Sequence, residues 1–400
     1  MAKKLSYLGV DLSGSSIKIV ELVDIGGRSQ LVTYGFAEGV PSIIKDESVE
    51  ARHEVANHVK DVLKQSRMSS LRVVTALPNF SVFSSLISLP AMSKKELISA
   101  VRWEAKKFVP IPLEEMILDW EVLSGDAEQH AAPGSAKGML EKKNHAGDLQ
   151  KKDGGKASRD GFPGGGGGDP ESGSSDEQAS ARLKEAKASI KVLLTAAPKN
   201  LVNRYVELFK EAGVQLIGLE TESFALERAL IGNDQNPVMI IDIGNEAASL
   251  TIFARGVPIH NRSIDIGGTT ITKAVAQATG LAEEHAEQFK RDMNGSLDDE
   301  SVEKLPQQVK YVVHSVVNEA RYIINYYERQ NKQKVSKIIL TGGSSYFMDL
   351  PDYLQKIFNI KTYIGDPWAR VIHPVEIDSL LRQLGPRLAV SVGLAMREIV

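Results

Sequence analysis

The stretch YLGVDLSGSSIKIVEL, residues 7–22, decides how this chain is read. An apolar strand carries an aspartate, Asp11, toward its end. Four small residues follow, Ser13 to Ser16, and a second alternating run returns with Lys18 near its start. Apolar residues on either side predict a strand hairpin in a core, and an aspartate there needs a partner, because an unpaired buried charge is strongly disfavoured. Small residues beside it let backbone N–H groups approach an anion closely.

The same plan recurs further on. VMIIDIGNEAASLTIFARG, from Val238, is again an apolar strand, an aspartate (Asp242), a turn of mostly small residues and a returning strand. The two aspartates are separated by more than half the chain, so the echo is a duplication at domain scale and not a short repeat. Two such hairpins facing each other form a cleft with N–H groups for phosphate oxygens and two carboxylates for Mg²⁺, which prefers few carboxylates plus water and phosphate. One hairpin alone reads as an ordinary Asp-Gly or Asp-Ser turn. A third element, VSKIILTGGSSYFMDLPDYLQKIFNI, runs a strand into Gly342 and Gly343 before a helix near Leu350. Paired glycines there admit a flat ring against the backbone or serve a plain strand-to-helix turn.

The bulk properties bound the rest. At 400 residues the chain fits two or three domains, and 42% hydrophobic residues suffice for their cores. A net charge of −3 argues against a dedicated polyanion binder. No cysteine is present, which excludes disulfides, thiolate metal sites and a cysteine nucleophile and fits a reducing compartment. The N-terminus lacks the apolar core of a signal peptide, and no run approaches the ~18 apolar residues of a membrane span. A soluble, cytoplasmic protein is expected. Residues 124–188, rich in Gly, Lys, Asp and Ser, predict a disordered insertion, since they cannot bury enough apolar surface to offset their ordering entropy. Around it, strand-like and helix-like runs alternate with hairpins, which predicts an α/β protein with mixed sheets.

The order of these parts resembles the actin-like ATPase superfamily, with its phosphate-1, connect-1, phosphate-2, adenosine and connect-2 motifs. The segments ALPNFSVFSSLISLPAMSKKELISAVRWEAKKFVPIPLEEMILDWEVL and TAAPKNLVNRYVELFKEAGVQLIGLETESFALERAL are more specific. They resemble the PilM family of type IV pilus assembly proteins, related to the division protein FtsA. The resemblance implies an actin-like fold of two lobes around a nucleotide cleft with an inserted 1C (SHS2-like) subdomain. Residues 1–75 and 196–237 would form subdomain 1A, 76–195 subdomain 1C, 238–270 and 335–400 subdomain 2A, and 271–334 subdomain 2B.

Carried over by position, the resemblance makes Asp11 and Asp242 the acids facing Mg²⁺, mostly through water. Ser13, Gly14, Ser15 and Ser16 would cradle phosphate with Lys18 reaching toward it, and Gly244 and Asn245 would form the second cradle. Glu220 falls where the family places the acid that orients attacking water. Glu287 and Lys290 match the Glu-x-x-Lys pair that contacts the nucleoside, and Gly342 and Gly343 would back adenine and ribose. Three departures stand out. The first loop reads Asp-Leu-Ser-Gly instead of Asp-x-Gly-Ser, the second reads NEAAS, and Asp349 stands where a glycine is frequent. Each narrows the allowed backbone angles or crowds phosphate, so ATP binding is expected and rapid turnover is not.

The resemblance also implies a partner, the short N-terminal cytoplasmic peptide of a PilN-like inner-membrane protein, held in a groove between 1A and 1C. The chain would then sit at the cytoplasmic face of the inner membrane without inserting into it. Other pilus inner-membrane and motor components, and a second copy of the chain, remain open partners. In the helix ELISAVRWEAKKF, Leu97, Ile98, Val101 and Trp103 suit either packing on the 1C sheet or that groove. Tyr322, Tyr326 and Tyr327 recur at helical spacing, as core or subunit packing does, and nucleic acid is not expected. His53 and His58 are five apart on a predicted helix and point to different faces, so they cannot share a metal. A small-molecule kinase of the same superfamily, an FtsA-like membrane tether and a protein that no longer holds nucleotide are the rival readings. A tether would want a separate C-terminal amphipathic helix, which the closing GLAMREIV does not supply.

Overall fold

A computed structural model describes residues 5–124, 189–292 and 306–400. The expected disordered insertion, but for its first residue, lies outside them. β1 (Ser6–Ser13) turns through Gly14 and Ser15 into β2 (Ser16–Asp24), and β3 (Ser29–Glu38) continues the antiparallel meander. Gly14 has φ +56°. A positive φ at the first central residue of a two-residue hairpin is what glycine supplies without strain. Helix α1 (Val49–Gln65) begins where Ser48 Oγ accepts from the Ala51 N–H, and returns the chain to β4 (Arg72–Leu77), parallel to β1.

β5 (Phe83–Pro90), α2 (Lys94–Phe108), β6 (Met116–Ser124) and β7 (Ser189–Pro198) build a separate three-stranded sheet in the order β5-β7-β6. Leu97, Val101 and Ala105 of α2 pack on it with Ile190, Val192 and Leu194. The Ser93/Glu96 capping box starts that helix. Then α3 (Lys199–Glu211) and β8 (Gln215–Thr221) complete the first large sheet, with β8 parallel to β4.

Helix α4 (Glu222–Leu226) and a π-helical turn over Glu227–Ile231 carry the chain across to β9 (Val238–Ile243), β10 (Ala248–Ala254) and β11 (Val257–Ile264). Helices α5 (Gly268–Thr279), α6 (Glu283–Asp292) and α7 (Gln307–Asn331) precede β12 (Lys337–Thr341), α8 (Leu350–Phe358) and β13 (Lys361–Ile364). The second sheet reads β11-β10-β9-β12-β13, and the first contains β3-β2-β1-β4-β8. Both place an antiparallel meander beside two parallel strands, so the echo in sequence is an echo in topology. This is the two-sheet arrangement that the resemblance implied.

The C-terminal residues differ from the expected division. β14 (Val371–Ile372) pairs parallel with β3 of the first sheet, and α9 (Asp378–Met396) packs with Val20, Leu22 and Leu31. Residues from 371 onward, expected in subdomain 2A, thus bury much of their apolar surface on the first lobe. Helix α9 carries Pro386 in its interior. Proline removes the N–H that would bond the Arg382 carbonyl. The Tyr346 hydroxyl donates to that oxygen instead (3.2 Å).

Helix α9 approaches β1 and α4 at backbone distance. A Cβ on Gly9 of β1 would stand 1.9 Å from the Ser391 carbonyl oxygen, and one on Gly393 would stand 1.9 Å from the Ala225 carbonyl oxygen. Neither neighbour is a flexible side chain, so the helix itself must move to admit a methyl. Gly9→Ala and Gly393→Ala are each expected to cost about 3 kcal/mol or more, above the usual range for overpacking, measured as the loss of stability in urea unfolding.

Candidate functional site

The site forms where the loops of the two hairpins meet. Asp11 is paired in register with Lys18 across β1 and β2. Lys18 Nζ donates to Asp11 Oδ2 (2.9 Å) and to Ser13 Oγ (2.6 Å), and Ser13 Oγ donates to Asp11 Oδ2 (3.1 Å). Ser16 Oγ donates to the Ser13 carbonyl (3.1 Å), which tightens the turn. At the matching place on β9, Asp242 lies opposite Ser249 of β10 and Thr341 of β12. Ser249 stands where the first hairpin has its lysine, so Asp242 lacks a cross-strand cation.

Electrostatics follow from that asymmetry. Desolvation in the cleft and then the Asp11 charge push the Asp242 carboxyl up to about 6, with Lys18 partly opposing. Glu222, at the start of α4, is pushed up to about 8 by desolvation, then by Asp11 and Asp242. The Asn79 N–H, which donates to Glu222 Oε2 (3.1 Å), and Lys18 pull the other way. Only Asp11 of these three carboxyl groups contacts Lys18, and the other two feel its charge at longer range, an arrangement that favours an added cation. Among the described residues no three acids or histidines converge as a direct metal-ligand set. Magnesium held largely through water is what such a donor set can accept.

Sequence reasoning assigned the acid beside this cluster to Glu220, and the structure places Glu222 there. Glu220 is committed elsewhere: Arg228 Nη1 and Nη2 donate to its two oxygens (2.9 and 3.0 Å), and Arg397 Nε lies 3.4 Å from Oε2. Glu220 is the penultimate residue of β8 and Glu222 the first of α4, so the two carboxylates leave the backbone in different directions. The discriminating signal was Arg228, two helical turns on, which claims Glu220.

The second loop is buttressed from behind. Gly268 N donates to the Gly244 carbonyl (2.9 Å), while Thr269 N and Oγ1 both donate to the Asn245 carbonyl (2.9 and 2.8 Å). The N-terminus of α5 thus points its first N–H groups at this loop. Asn245 Nδ2 reaches across to donate to Ser15 Oγ (2.9 Å), so the two predicted phosphate loops touch.

Lys290 and Glu287 border the same region. Lys290 Nζ lies 2.6 Å from Glu287 Oε2 and donates to Thr272 Oγ1 (3.0 Å) and the Gly268 carbonyl (3.3 Å). Burial lowers the Lys290 pKa; burial also opposes the charge on Glu287, but Lys290 and the Thr272 hydroxyl hold that carboxyl below its usual value. A Cβ on Gly268 would meet Ser344 Oγ at 2.9 Å and Lys290 Nζ at 3.6 Å, so the Glu-x-x-Lys pair and the Gly342–Gly343 turn meet at the start of α5.

Gly342 has φ +89°, and its Cβ would fall 2.5 Å from Asp242 Oδ1. Its bareness makes room for the Asp242 carboxylate. Gly343 is exposed at the rim. Asp349 adopts φ +49°, the left-handed conformation a glycine would take freely and aspartate tolerates better than most residues. The departure from the family pattern there leaves the backbone path intact.

Away from the cleft, the apolar residues of α2 divide between core and surface. Leu97 and Val101 are core, whereas Ile98 and Trp103 are exposed, Trp103 at 64%. Tyr327 is buried, while Tyr322 and Tyr326 stack on the surface with ring centroids 6.2 Å apart. His53 pairs with Glu211 and His58 with Glu54, so the two histidines share no ion.

Comparison with known proteins agrees with this architecture. The model of the family described as type IV pilus assembly protein PilM matches residues 9–135 and 178–399. Cell division protein FtsA of Bacillus subtilis is 24% identical over 119 residues, 29% of this chain and 27% of that protein. FtsA of Buchnera aphidicola subsp. Schizaphis graminum is 23% identical over 209 residues, 45% of this chain and 50% of that protein. The chain thus spans half or less of these curated relatives. Among solved structures, a PilM-PilN type IV pilus biogenesis complex aligns over 100% of both chains at TM-score 0.73 and 22% identity. Ethanolamine utilization protein EutJ from Carboxydothermus hydrogenoformans aligns over 98% of this chain and 89% of its own at TM-score 0.50 and 14% identity. No helix among the described residues is long and apolar enough to cross a membrane. With the family model matching most of its length, this chain belongs to the PilM family of type IV pilus assembly proteins.

Proposed function

We propose that this protein is an ATP-binding scaffold of a type IV pilus inner-membrane assembly, positioned at the cytoplasmic face by a membrane partner. The observation that carries the reading is the pair of aspartate hairpins brought loop to loop, with three carboxyl groups around Lys18. Asp11 and Asp242 would face Mg²⁺ through water. The turn from Ser13 to Ser16 and the loop at Gly244 and Asn245 would receive phosphates, and Lys290 with Glu287 would border the nucleoside. Bound ATP with Mg²⁺ would supply a charged bridge between the lobes. The chain's own part is to hold that bridge and to transmit the spacing of the loops to the rest of the fold.

Glu222, not Glu220, is the acid positioned to orient a water. Its raised pKa keeps it largely protonated at neutral pH until a cation arrives, which suits slow turnover at most. The segment from β5 to β7 is read as subdomain 1C. Exposed Ile98, Trp103 and Phe108 on α2 offer apolar contacts for the N-terminal cytoplasmic peptide of a PilN-like protein.

Calorimetry with ATP, with and without Mg²⁺, tests the core of this proposal. Wild type is expected to bind only with Mg²⁺, and Asp242→Asn to lose about tenfold or more in affinity, or ~1.4 kcal/mol. Equal Mg²⁺-dependent binding by both would remove Asp242 from the site. Affinity for a PilN-like N-terminal peptide, measured with and without ATP, tests the scaffold role, and no binding in either state would sink it.

The carboxyl cluster also predicts a pH dependence. Glu222 has a folded pKa raised from 4.5 to about 8, so the folded state holds its proton longer than the unfolded state does. Its contribution favours folding at low pH and is lost as pH climbs from 4.5 toward 8. Thermal unfolding of the nucleotide-free protein is therefore expected to show this decline, and Glu222→Gln to flatten it. An unchanged slope in that variant would mean Glu222 is not the titrating group.

A further inference from the structure

Glu246 follows Asn245 in the second loop and belongs to neither the carboxyl cluster nor the nucleoside pair. It nevertheless reaches across to the first loop. A Cβ built on Gly14 would stand 3.0 Å from Glu246 Cγ, 3.2 Å from Cδ and 3.7 Å from Oε1. Lys45, in the segment that follows β3, lies 2.8 Å from Glu246 Oε1. Beside it, the Asn245–Ser15 hydrogen bond closes the same gap. A carboxylate thus lies directly over the one residue of the first loop with a positive φ, between the two backbone turns that would receive phosphate.

Glu246 cannot shift sideways by bending its backbone. A Cβ on Gly267 would fall 2.5 Å from the Asn245 carbonyl oxygen and 2.6 Å from the Glu246 carbonyl carbon, so the loop is pressed against the start of α5. Only the side chain is free to move. It is partly exposed at 27%, and Lys45 is exposed at 67%. A pair this exposed is weak and screened by salt, so it can open at little cost.

We propose that Glu246 is a resident carboxylate in the anion seat between the two loops, held there by Lys45, and that the phosphate of an entering nucleotide must displace it. The inference rests on the reading of the cleft as a nucleotide site. A phosphate and a carboxylate do not share a seat between the Gly14 turn and Lys45, because like charges at contact distance repel. Self-occupancy lowers the apparent affinity for nucleotide by the fraction of time the seat is filled, and swinging Glu246 out frees both loops to clamp phosphate.

Titration of a fluorescent ATP analogue with Mg²⁺ into the full chain tests this in wild type, Glu246→Ala, Lys45→Ala and the double variant. Glu246→Ala is expected to bind about fivefold tighter, near the most that one exposed pair sustains. Lys45→Ala should tighten binding in the wild-type background and change nothing once Glu246 is gone. A second readout needs no nucleotide: hydrogen exchange at the Gly14, Ser15 and Asn245 amides should quicken in Glu246→Ala. If wild type binds and Glu246→Ala binds equally or more weakly, the displacement proposal is overturned and the nucleotide reading stands. If Lys45→Ala weakens binding with or without Glu246, Lys45 is a phosphate ligand and the latch is overturned. If no variant binds the analogue, both readings fall together.

Discussion

The arrangement depends on one helix lying against two lobes at backbone distance. Helix α9 contributes Leu388, Val392 and Met396 to the core of the first sheet and Ala389, Val390 and Leu394 to a core shared with β9 and β12. Gly9 and Gly393 let it lie at backbone distance from β1 and α4. The carbonyl of Pro386 accepts from Gly342 N (3.0 Å) and Thr341 Oγ1 (3.0 Å), which ties the helix to the turn beneath Asp242. The spacing of the two hairpins is therefore set by packing well away from the loops themselves. A small residue far from the cleft can govern it, since packed cores do not deform continuously.

Within that frame the two halves are alike in topology and unlike in charge. The first hairpin neutralises its aspartate with Lys18; the second sets Ser249 in the same register and leaves Asp242 to its surroundings. A duplicated strand plan thus becomes a polarised cleft. One side pairs its carboxylate with a lysine and the other has none in register. Glu220 shows another solution, a carboxylate held between two arginines. Gly218 makes room for it, because a Cβ there would lie 1.7 Å from Arg397 Nη1.

Much of this was legible in the sequence, and the reasons are physical. Asp11 and Asp242 were found because a strand ending in Asp and small residues is a local pattern, and its recurrence needs no knowledge of contacts. Other strands carry weaker local patterns. β11 carries Pro258 and the polar run from His260 to Ser263, and β13 is only four residues long, too short for alternation to show. Pro386 reads as a helix breaker, and the Tyr346 hydroxyl that donates to the freed Arg382 carbonyl comes from a distant turn. Glu222 and Glu246 were missed for a related reason. Arg228, eight residues from Glu220, was the local signal that separates the two acids, whereas Lys45, the partner of Glu246, lies in no local window.

The small sheet has a consequence of another kind. β6 and β7 are antiparallel neighbours with Ser124 in register with Lys191, so the chain's two described ends lie side by side at one end of the small sheet. A chain that departs and returns at one point imposes no strain on what it interrupts, and its closure entropy grows only logarithmically with length. The tip of this hairpin is thus a permissive port. Sequence can lengthen, shorten or be exchanged there while the packing that sets the cleft and α9 is left alone.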